Sequence, residues 1–278
     1  MKLLKNLLKT PAFSIGMGLF LTALFIALVV PFFYDINIAT RVGPAYMPPN
    51  SQHWLGTNHM GYDMVSLLID GLRSSMYVGL LAGLIATFTG TFLGIYGGYR
   101  GGWRDDSINL FTNLVLVIPQ LVIVILISSM LTDGRSLTLI ALIIGFTGWT
   151  WSARAVRAQA ASIKSRDHIG LARVNGSGTV SIVFKQILPY LLSYVFMVFI
   201  MQTASGILTE ASISMIGLGP FDTVSLGTIL NDSMRNEALN DGAWWAFIPA
   251  VILVTLIAFA LYVINTSMEG VFNPRLRK

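Results

Sequence analysis

The sequence predicts an all-α membrane protein with six transmembrane helices, and three observations lead to this fold class. First, 54% of the 278 residues are hydrophobic and only 11% are charged, about half the charged share of an ordinary soluble domain. Second, six apolar runs are each long enough to cross the hydrocarbon core of a bilayer as a helix. Third, basic residues concentrate in alternate loops between these runs, as the positive-inside rule requires.

The six runs contain almost no ionisable side chains. They cover residues 13–33, 75–98, 107–131, 136–153, 187–219 and 243–268. Only the fifth holds a carboxylate, Glu210, and the apolar residues of that run outweigh the insertion cost of one charge, roughly 3 kcal/mol. The first run is too long for a signal peptide, lacks a small-x-small cleavage site, and is followed by five further spans.

Loop charge predicts that both termini lie in the cytoplasm. With this orientation, 14 of the 18 Lys and Arg residues fall inside. The inside residues are Lys2, Lys5, Lys9, Arg100, Arg104, Arg154, Arg157, Lys164, Arg166, Arg173, Lys185, Arg275, Arg277 and Lys278. The predicted division is a cytoplasmic N-terminus at 1–12, a first helix and extracytoplasmic segment at 13–74, and a five-helix core at 75–278 with a cytoplasmic loop at 154–186.

Several function classes are disfavoured by residue content. The basic residues sit in short loops rather than on one solvated face, so nucleic-acid binding is not expected. The chain has no cysteine, which excludes disulfides, thiolate metal sites and a cysteine nucleophile. No Gly-x-x-x-x-Gly-Lys-[Ser/Thr] sequence occurs, so the chain has no Walker A loop for ATP phosphates.

An outside segment at 34–74 contains the sequence HWLGTNHMGYD at 53–63, followed by an amphipathic stretch. His59 and Asp63 are four residues apart and would share a helix face, which is compatible with a metal site. Gly56 and Gly61 instead indicate turns, so we expect no metal here.

The inside segment at 150–186 carries six basic residues and contains DHIGLARVNGS at 167–177. It predicts a helix and then a sharp turn, where either Gly176 or Gly178 would adopt positive φ. Two interpretations stay open at this point: a knob that a cytoplasmic partner grips, and a basic loop attracted to anionic lipid headgroups.

Five stretches together resemble the permease subunits of ABC importers, in the dipeptide, oligopeptide and nickel branch. Residues 167–189 resemble the family's "EAA" loop, 53–63 its "HxLGTDxxGRD" stretch, and 97–105, GGYRGGWRD, its "GYxGGWxD" loop. SMIGLG at 214–219 and NPRLR at 273–277 complete the pattern. The resemblance therefore covers nearly the whole chain.

This resemblance implies a type I importer permease fold and a set of partners. The partners are a second, related permease subunit forming a heterodimer, two cytoplasmic ATPase subunits that carry ATP and Mg²⁺, an extracytoplasmic solute-binding protein, and membrane lipid. The chain itself would hold no cofactor and would not be an enzyme. The coupling helix that docks on the ATPase would comprise Asp167, His168, Ile169, Gly170, Leu171, Ala172 and Arg173, with Gly176 at the turn after it.

Two motifs depart from the family pattern. The Glu and first Ala of "EAA" are Gly170 and Leu171 here, so the polar docking contact of the family's Glu is either missing or supplied by another residue. In the outside motif, the usual Asp and Arg are Asn58 and Tyr62.

Small residues and prolines in the spans predict helix packing and kinks. Glycines at four-residue spacing in the second run form stripes where helix backbones approach closely: Gly79, Gly83, Gly90, Gly94 and Gly98. Pro119 and Pro249 are expected to kink their spans. For Glu210 two interpretations stay open: a residue of the translocation path, because intramembrane carboxylates usually face a cavity, and a solvated or paired group near the outer mouth.

Alternatives to an ATP-driven importer are weaker. A secondary transporter driven by ion gradients would show several midplane charges and inverted repeats, and a membrane-embedded enzyme would show clustered His, Asp or Glu. Within the importer class, the branch points to peptides, and oligosaccharides of the cello-oligomer type are the alternative substrate.

Overall fold

The chain folds into a helical bundle. A computed structural model describes residues 7–34, 36, 38–131 and 134–272, and within them there are ten α-helices and no strand. These are α1 (Pro11–Leu28), α2 (Met64–Arg100), α3 (Gly102–Val117), α4 (Gln120–Met130), α5 (Leu137–Lys164), α6 (Asp167–Val174), α7 (Thr179–Ile182), α8 (Leu188–Met215), α9 (Leu226–Arg235) and α10 (Ile248–Phe272). The predicted inside residues Lys2, Lys5, Arg275, Arg277 and Lys278, and the 273–277 motif, lie outside the described residues.

Within the part of the chain that the structure describes, five helical stretches are long and apolar enough to span a bilayer, and α3 with α4 forms a bent pair that passes the same test together. The two members of the pair meet at an angle of 77°. Counted as one broken span, the pair brings the total to six, which confirms the predicted number.

The second span begins earlier than predicted. Helix α2 starts at Met64 rather than at Ser75, because Asp63 caps it by accepting a hydrogen bond from the Ser66 backbone N–H at 2.9 Å. A side-chain acceptor at this position satisfies one of the free N–H groups of the first turn. The amphipathic stretch assigned to the outside segment is therefore the first part of α2.

The two prolines have different effects. Pro119 lies at the break between α3 and α4, as predicted. The prediction for Pro249 is wrong, because α10 begins at Ile248 and Pro249 occupies its first turn. Proline is tolerated there since the N–H that it lacks would have no partner within the helix.

Helix α2 is the centre of the bundle and packs directly against α5 and α8. A Cβ atom added at Gly83 would stand 2.8 Å from the Thr203 backbone nitrogen of α8, and one at Gly98 would stand 2.7 Å from the Arg157 carbonyl oxygen of α5. Gly79 also meets α8, whereas Gly90 and Gly94 meet α5. The predicted glycine stripe thus faces two neighbouring helices of the same chain.

The bundle has two ends that differ in structure. Helix α2 runs from the end that holds α9, here called the α9 end, to the end that holds α6, called the α6 end. Helices α1 and α10 pack together at the side, where Gly16 lies close to the Ala260 carbonyl oxygen.

Candidate functional site: a surface helix and an uncharged groove

Helix α6 lies on the surface with one apolar side turned outward. Ile169 is fully buried in an apolar cluster with Ile163, Ile182 and Ile187. Leu171 and Val174 are 65% and 85% exposed. A Cβ atom at Gly170 would meet nothing within 4 Å, so this position is open as well. The helix therefore offers an uncovered apolar surface beside basic residues.

The turn after α6 is a Schellman motif. The Ser177 N–H donates to the Ala172 carbonyl and the Gly176 N–H donates to the Arg173 carbonyl, both at 3.0 Å. This pattern needs a residue in the left-handed region, and Gly176 supplies it with φ of 75°. Gly178 has φ of −66° and precedes α7. The positive φ predicted for one of these glycines thus falls on Gly176.

Two aromatic contacts join α6 to the long helices. The Arg173 guanidinium lies 5.2 Å from the ring centroid of Tyr99, near the end of α2. The His168 ring lies 5.0 Å from the ring of Tyr190 in the first turn of α8. A displacement of α6 would therefore act directly on α2 and α8.

An ion pair links the start of the broken span to α5 at the same end. Asp105 of α3 accepts two hydrogen bonds from Arg157, at 2.6 Å and 2.7 Å. Bidentate pairing of this kind fixes orientation as well as distance. Residues 97–105, which resemble the family's loop, lie at the junction of α2 and α3. They contact α5 through Asp105 and α6 through Tyr99.

An open groove runs along α8 beside the break in the third span. One part has a volume of about 390 Å³ and a second part about 610 Å³, and both are lined by Met201 and Ser205. The polar lining residues are Gln120, Thr147, Thr150, Gln202, Thr209, Ser212, Thr255 and Tyr262. None of the lining residues carries a charge. The groove is therefore uncharged, with hydroxyl and amide groups spaced among mostly apolar side chains.

Glu210 does not line this groove. Its side chain is 0% exposed and accepts hydrogen bonds from the Ser75 hydroxyl at 2.8 Å and the Ser214 hydroxyl at 2.7 Å. The structure places it between α2, α8 and α9, so of the two interpretations the geometry favours a paired carboxyl group.

Surface segments that include residues 46–63 pack at the α9 end. Asp63, besides capping α2, pairs with His53 at 2.9 Å and not with His59. Asn58 organises the turn, since its side-chain oxygen accepts hydrogen bonds from the Met60 and Tyr62 backbone N–H groups. Asn58 thus supplies an oxygen acceptor at the position where the resembled motif has Asp.

Tyr46 ties these segments to α9. Its hydroxyl donates to the Asn236 carbonyl at 2.7 Å. Burial, together with the carboxylates of Asp241 and Asp232, raises the pKa of the Tyr46 hydroxyl, so the group stays protonated and remains a donor.

Comparison with known proteins identifies the family. Residues 90–278 match the family model of the binding-protein-dependent transport system inner membrane component. The chain belongs to this family. The oligopeptide transport system permease protein OppC of Bacillus subtilis is 30% identical over 268 residues, covering 95% of this chain and 86% of the relative.

Two further relatives of this permease family are similar over most of their length. The dipeptide transport system permease protein DppC of Bacillus subtilis is 27% identical, covering 99% of this chain and 85% of the relative. OppC of Mycobacterium tuberculosis strain H37Rv is 29% identical, covering 93% and 88%. These matches confirm the resemblance to the peptide branch of ABC importer permeases, and the helical bundle agrees with the type I permease fold.

The groove of this inner membrane component was not predicted from the sequence. Polar residues within apolar runs were the available signal, and Gln120 and Gln202 were its strongest members. Gln202 donates to the Gly148 carbonyl at 2.7 Å, so this amide both lines the groove and fixes α8 to α5.

Proposed function

We propose that this chain is one of two permease subunits of an ATP-driven, binding-protein-dependent importer, and that its substrates are peptides. The single observation that carries this proposal is α6, a short surface helix whose exposed Leu171 and Val174 have no covering element within the described residues. Such a surface suits a protein partner. The relatives named for oligopeptide and dipeptide transport support peptides over oligosaccharides.

The ATPase would be a separate pair of subunits that bind the α6 end. The sequence has no Walker A loop, so ATP and Mg²⁺ belong to those partners. This assignment makes the α6 end cytoplasmic, in agreement with the distribution of basic residues. The extracytoplasmic binding protein would then deliver its solute at the α9 end.

The translocation path would lie between this chain and a second, related permease. The groove is open along α8 and carries hydroxyl and amide groups among mostly apolar side chains. A second permease covering the groove would convert it into a water-accessible path. Its neutral lining suits peptides whose side chains carry either sign of charge, because it neither attracts nor repels them.

An ion-gradient mechanism finds less support in this geometry. Proton-coupled transport needs a titratable group that can reach the path. The groove-lining residues include no carboxylate or histidine, and Glu210 lies away from them.

Reconstitution tests the proposed function. The chain, the second permease and the ATPase subunits are placed in proteoliposomes with the binding protein encoded beside them. We expect uptake of labelled peptide that requires both ATP and the binding protein, and that stops when this chain is omitted. Uptake driven by a proton gradient without ATP would overturn the proposal, as would ATP-dependent uptake without this chain.

A further inference from the structure

The buried carboxyl group of Glu210 lies where three helices meet. The Ser75 hydroxyl of α2 donates to one of its oxygens and the Ser214 hydroxyl of α8 donates to the other. The hydroxyl of Ser225, the residue that caps α9, lies close to the carboxyl group. One side chain therefore binds elements that are far apart in sequence.

The direction of these hydrogen bonds is set by the backbone. The Leu226 N–H donates to the Ser75 oxygen at 3.1 Å, which leaves the Ser75 proton free to point at Glu210. The chain of donors runs from the first turn of α9, through Ser75, to the carboxyl group. Free N–H groups at a helix start favour an acceptor such as this one.

Close backbone packing makes this junction rigid. A Cβ atom at Gly227 of α9 would stand 2.7 Å from the Ala211 carbonyl oxygen of α8. One at Gly71 of α2 would stand 3.1 Å from the Ser225 carbonyl carbon. With no side chain between the backbones, α9 has little freedom to move independently of α2 and α8.

Helix α9 in turn holds the other surface segments of its end. The Ser233 hydroxyl donates to the Ala246 carbonyl at 2.8 Å, and the Trp245 indole N–H donates to the Thr57 carbonyl at 3.1 Å. At the opposite end, α2 and α8 contact α6 through Tyr99 and Tyr190. The two helices that hold Glu210 are thus among those that contact α6.

We propose that Glu210 is a positioning residue that fastens the α9 end to α2 and α8, so that docking of the solute-loaded binding protein is transmitted to the ATPase at α6. The inference rests on the proposed function, because it assigns the two partners to the two ends. Glu210 touches no solute in this mechanism. It acts by keeping α9 and the long helices in one rigid unit.

The test compares Glu210→Gln and Ser75→Ala with Glu269→Gln. Glu269 is an exposed residue of α10, so its substitution is the matched control. The complete importer is assembled in lipid nanodiscs, and ATP hydrolysis is measured with and without solute-loaded binding protein. Hydrogen exchange of the amides in Leu226–Arg235 is followed in the same samples. Ser75→Ala is the milder change and keeps the test valid if Glu210→Gln folds poorly.

We expect both variants to assemble and to keep basal ATP hydrolysis, while stimulation by the binding protein falls roughly tenfold, the scale of losing one buried hydrogen bond. Amide exchange in α9 should rise, and Glu269→Gln should match the parent. Combining the two variants should add little, because both break one chain of hydrogen bonds.

Full stimulation with unchanged exchange in both variants would overturn the inference. So would equal loss of assembly and basal hydrolysis in both, since that pattern marks a purely structural residue. Failure of the parent complex to couple uptake to ATP would overturn the proposed function instead, and the exchange measurement would still report whether Glu210 holds α9.

Discussion

At the scale of single residues, the turn after α6 depends on the backbone of Gly176. Its φ of 75° allows the two hydrogen bonds that end the helix. A residue with a Cβ atom in the left-handed region costs about 1–2 kcal/mol. The sequence predicted positive φ for Gly176 or Gly178 but could not choose between them, because the choice depends on where α6 ends.

Replacing Gly176 should therefore damage coupling. In Gly176→Val we expect normal membrane insertion but less peptide taken up per ATP hydrolysed, because the turn that sets the direction of α6 is strained. The measurement is uptake and ATP hydrolysis in the same proteoliposomes. Gly178→Val is the matched control, since Gly178 has negative φ and open space around it.

Gly176→Asn should keep more coupling than Gly176→Val, because asparagine tolerates positive φ better than β-branched residues. Equal coupling ratios in Gly176→Val and Gly178→Val would contradict this role of the turn.

The close approach of α2 and α5 gives a second prediction about a single residue. In Gly94→Ala the new Cβ atom would stand 2.7 Å from the Ala153 carbonyl oxygen, and overpacking of this kind costs about 1–3 kcal/mol. The midpoint of thermal unfolding in detergent should fall.

Gly18→Ala serves as the control, since a Cβ atom there meets nothing within 4 Å. It should leave the midpoint unchanged or raise it, because alanine favours the helix by about 1 kcal/mol over glycine. A fall of equal size in both variants would argue against close packing at Gly94.

At the scale of helices, hydropathy predicted the number of spans well and their ends poorly. It located the six apolar runs because a helix that crosses the hydrocarbon core must be apolar along most of its length. It missed the first part of α2 because Met64–Ser74 lies beyond the apolar run and is helical through the Asp63 cap. It missed the groove because the pattern of polar residues along a span does not show which side of that helix is covered by another helix. The boundaries of α6 followed from the family resemblance rather than from hydropathy.

Filling the groove should stop transport. Ser205 lines both parts of the groove, so Ser205→Trp would narrow it with a large side chain. We expect an assembled complex with little ATP-dependent peptide uptake in proteoliposomes.

The control places the same side chain on an exposed apolar surface, in Leu126→Trp of α4. This variant should transport like the parent. Undiminished uptake in Ser205→Trp would show that solute does not pass along the groove.

At the scale of the whole molecule, the two ends are joined by α2 and α8. One end presents α6 with its exposed apolar side chains, and the other presents α9 with the segments that Tyr46 and Trp245 hold to it. Glu210 fixes α9 to these helices, and Tyr99 and Tyr190 contact α6 at the other end. Under the proposed function, a subunit built in this way passes motion between the ATPase at the α6 end and the binding protein at the α9 end.

Site-specific cross-linking tests most directly the claim that the ATPase docks on α6. Because the chain has no cysteine, Leu171→Cys introduces a single thiol on α6, and Leu239→Cys introduces one at the α9 end, where Leu239 is also well exposed. A short thiol-to-amine cross-linker is applied to the assembled importer. We predict a cross-link from Leu171→Cys to an ATPase subunit and none to that subunit from Leu239→Cys; an ATPase cross-link from Leu239→Cys, or none from Leu171→Cys in an assembled complex, would contradict the account.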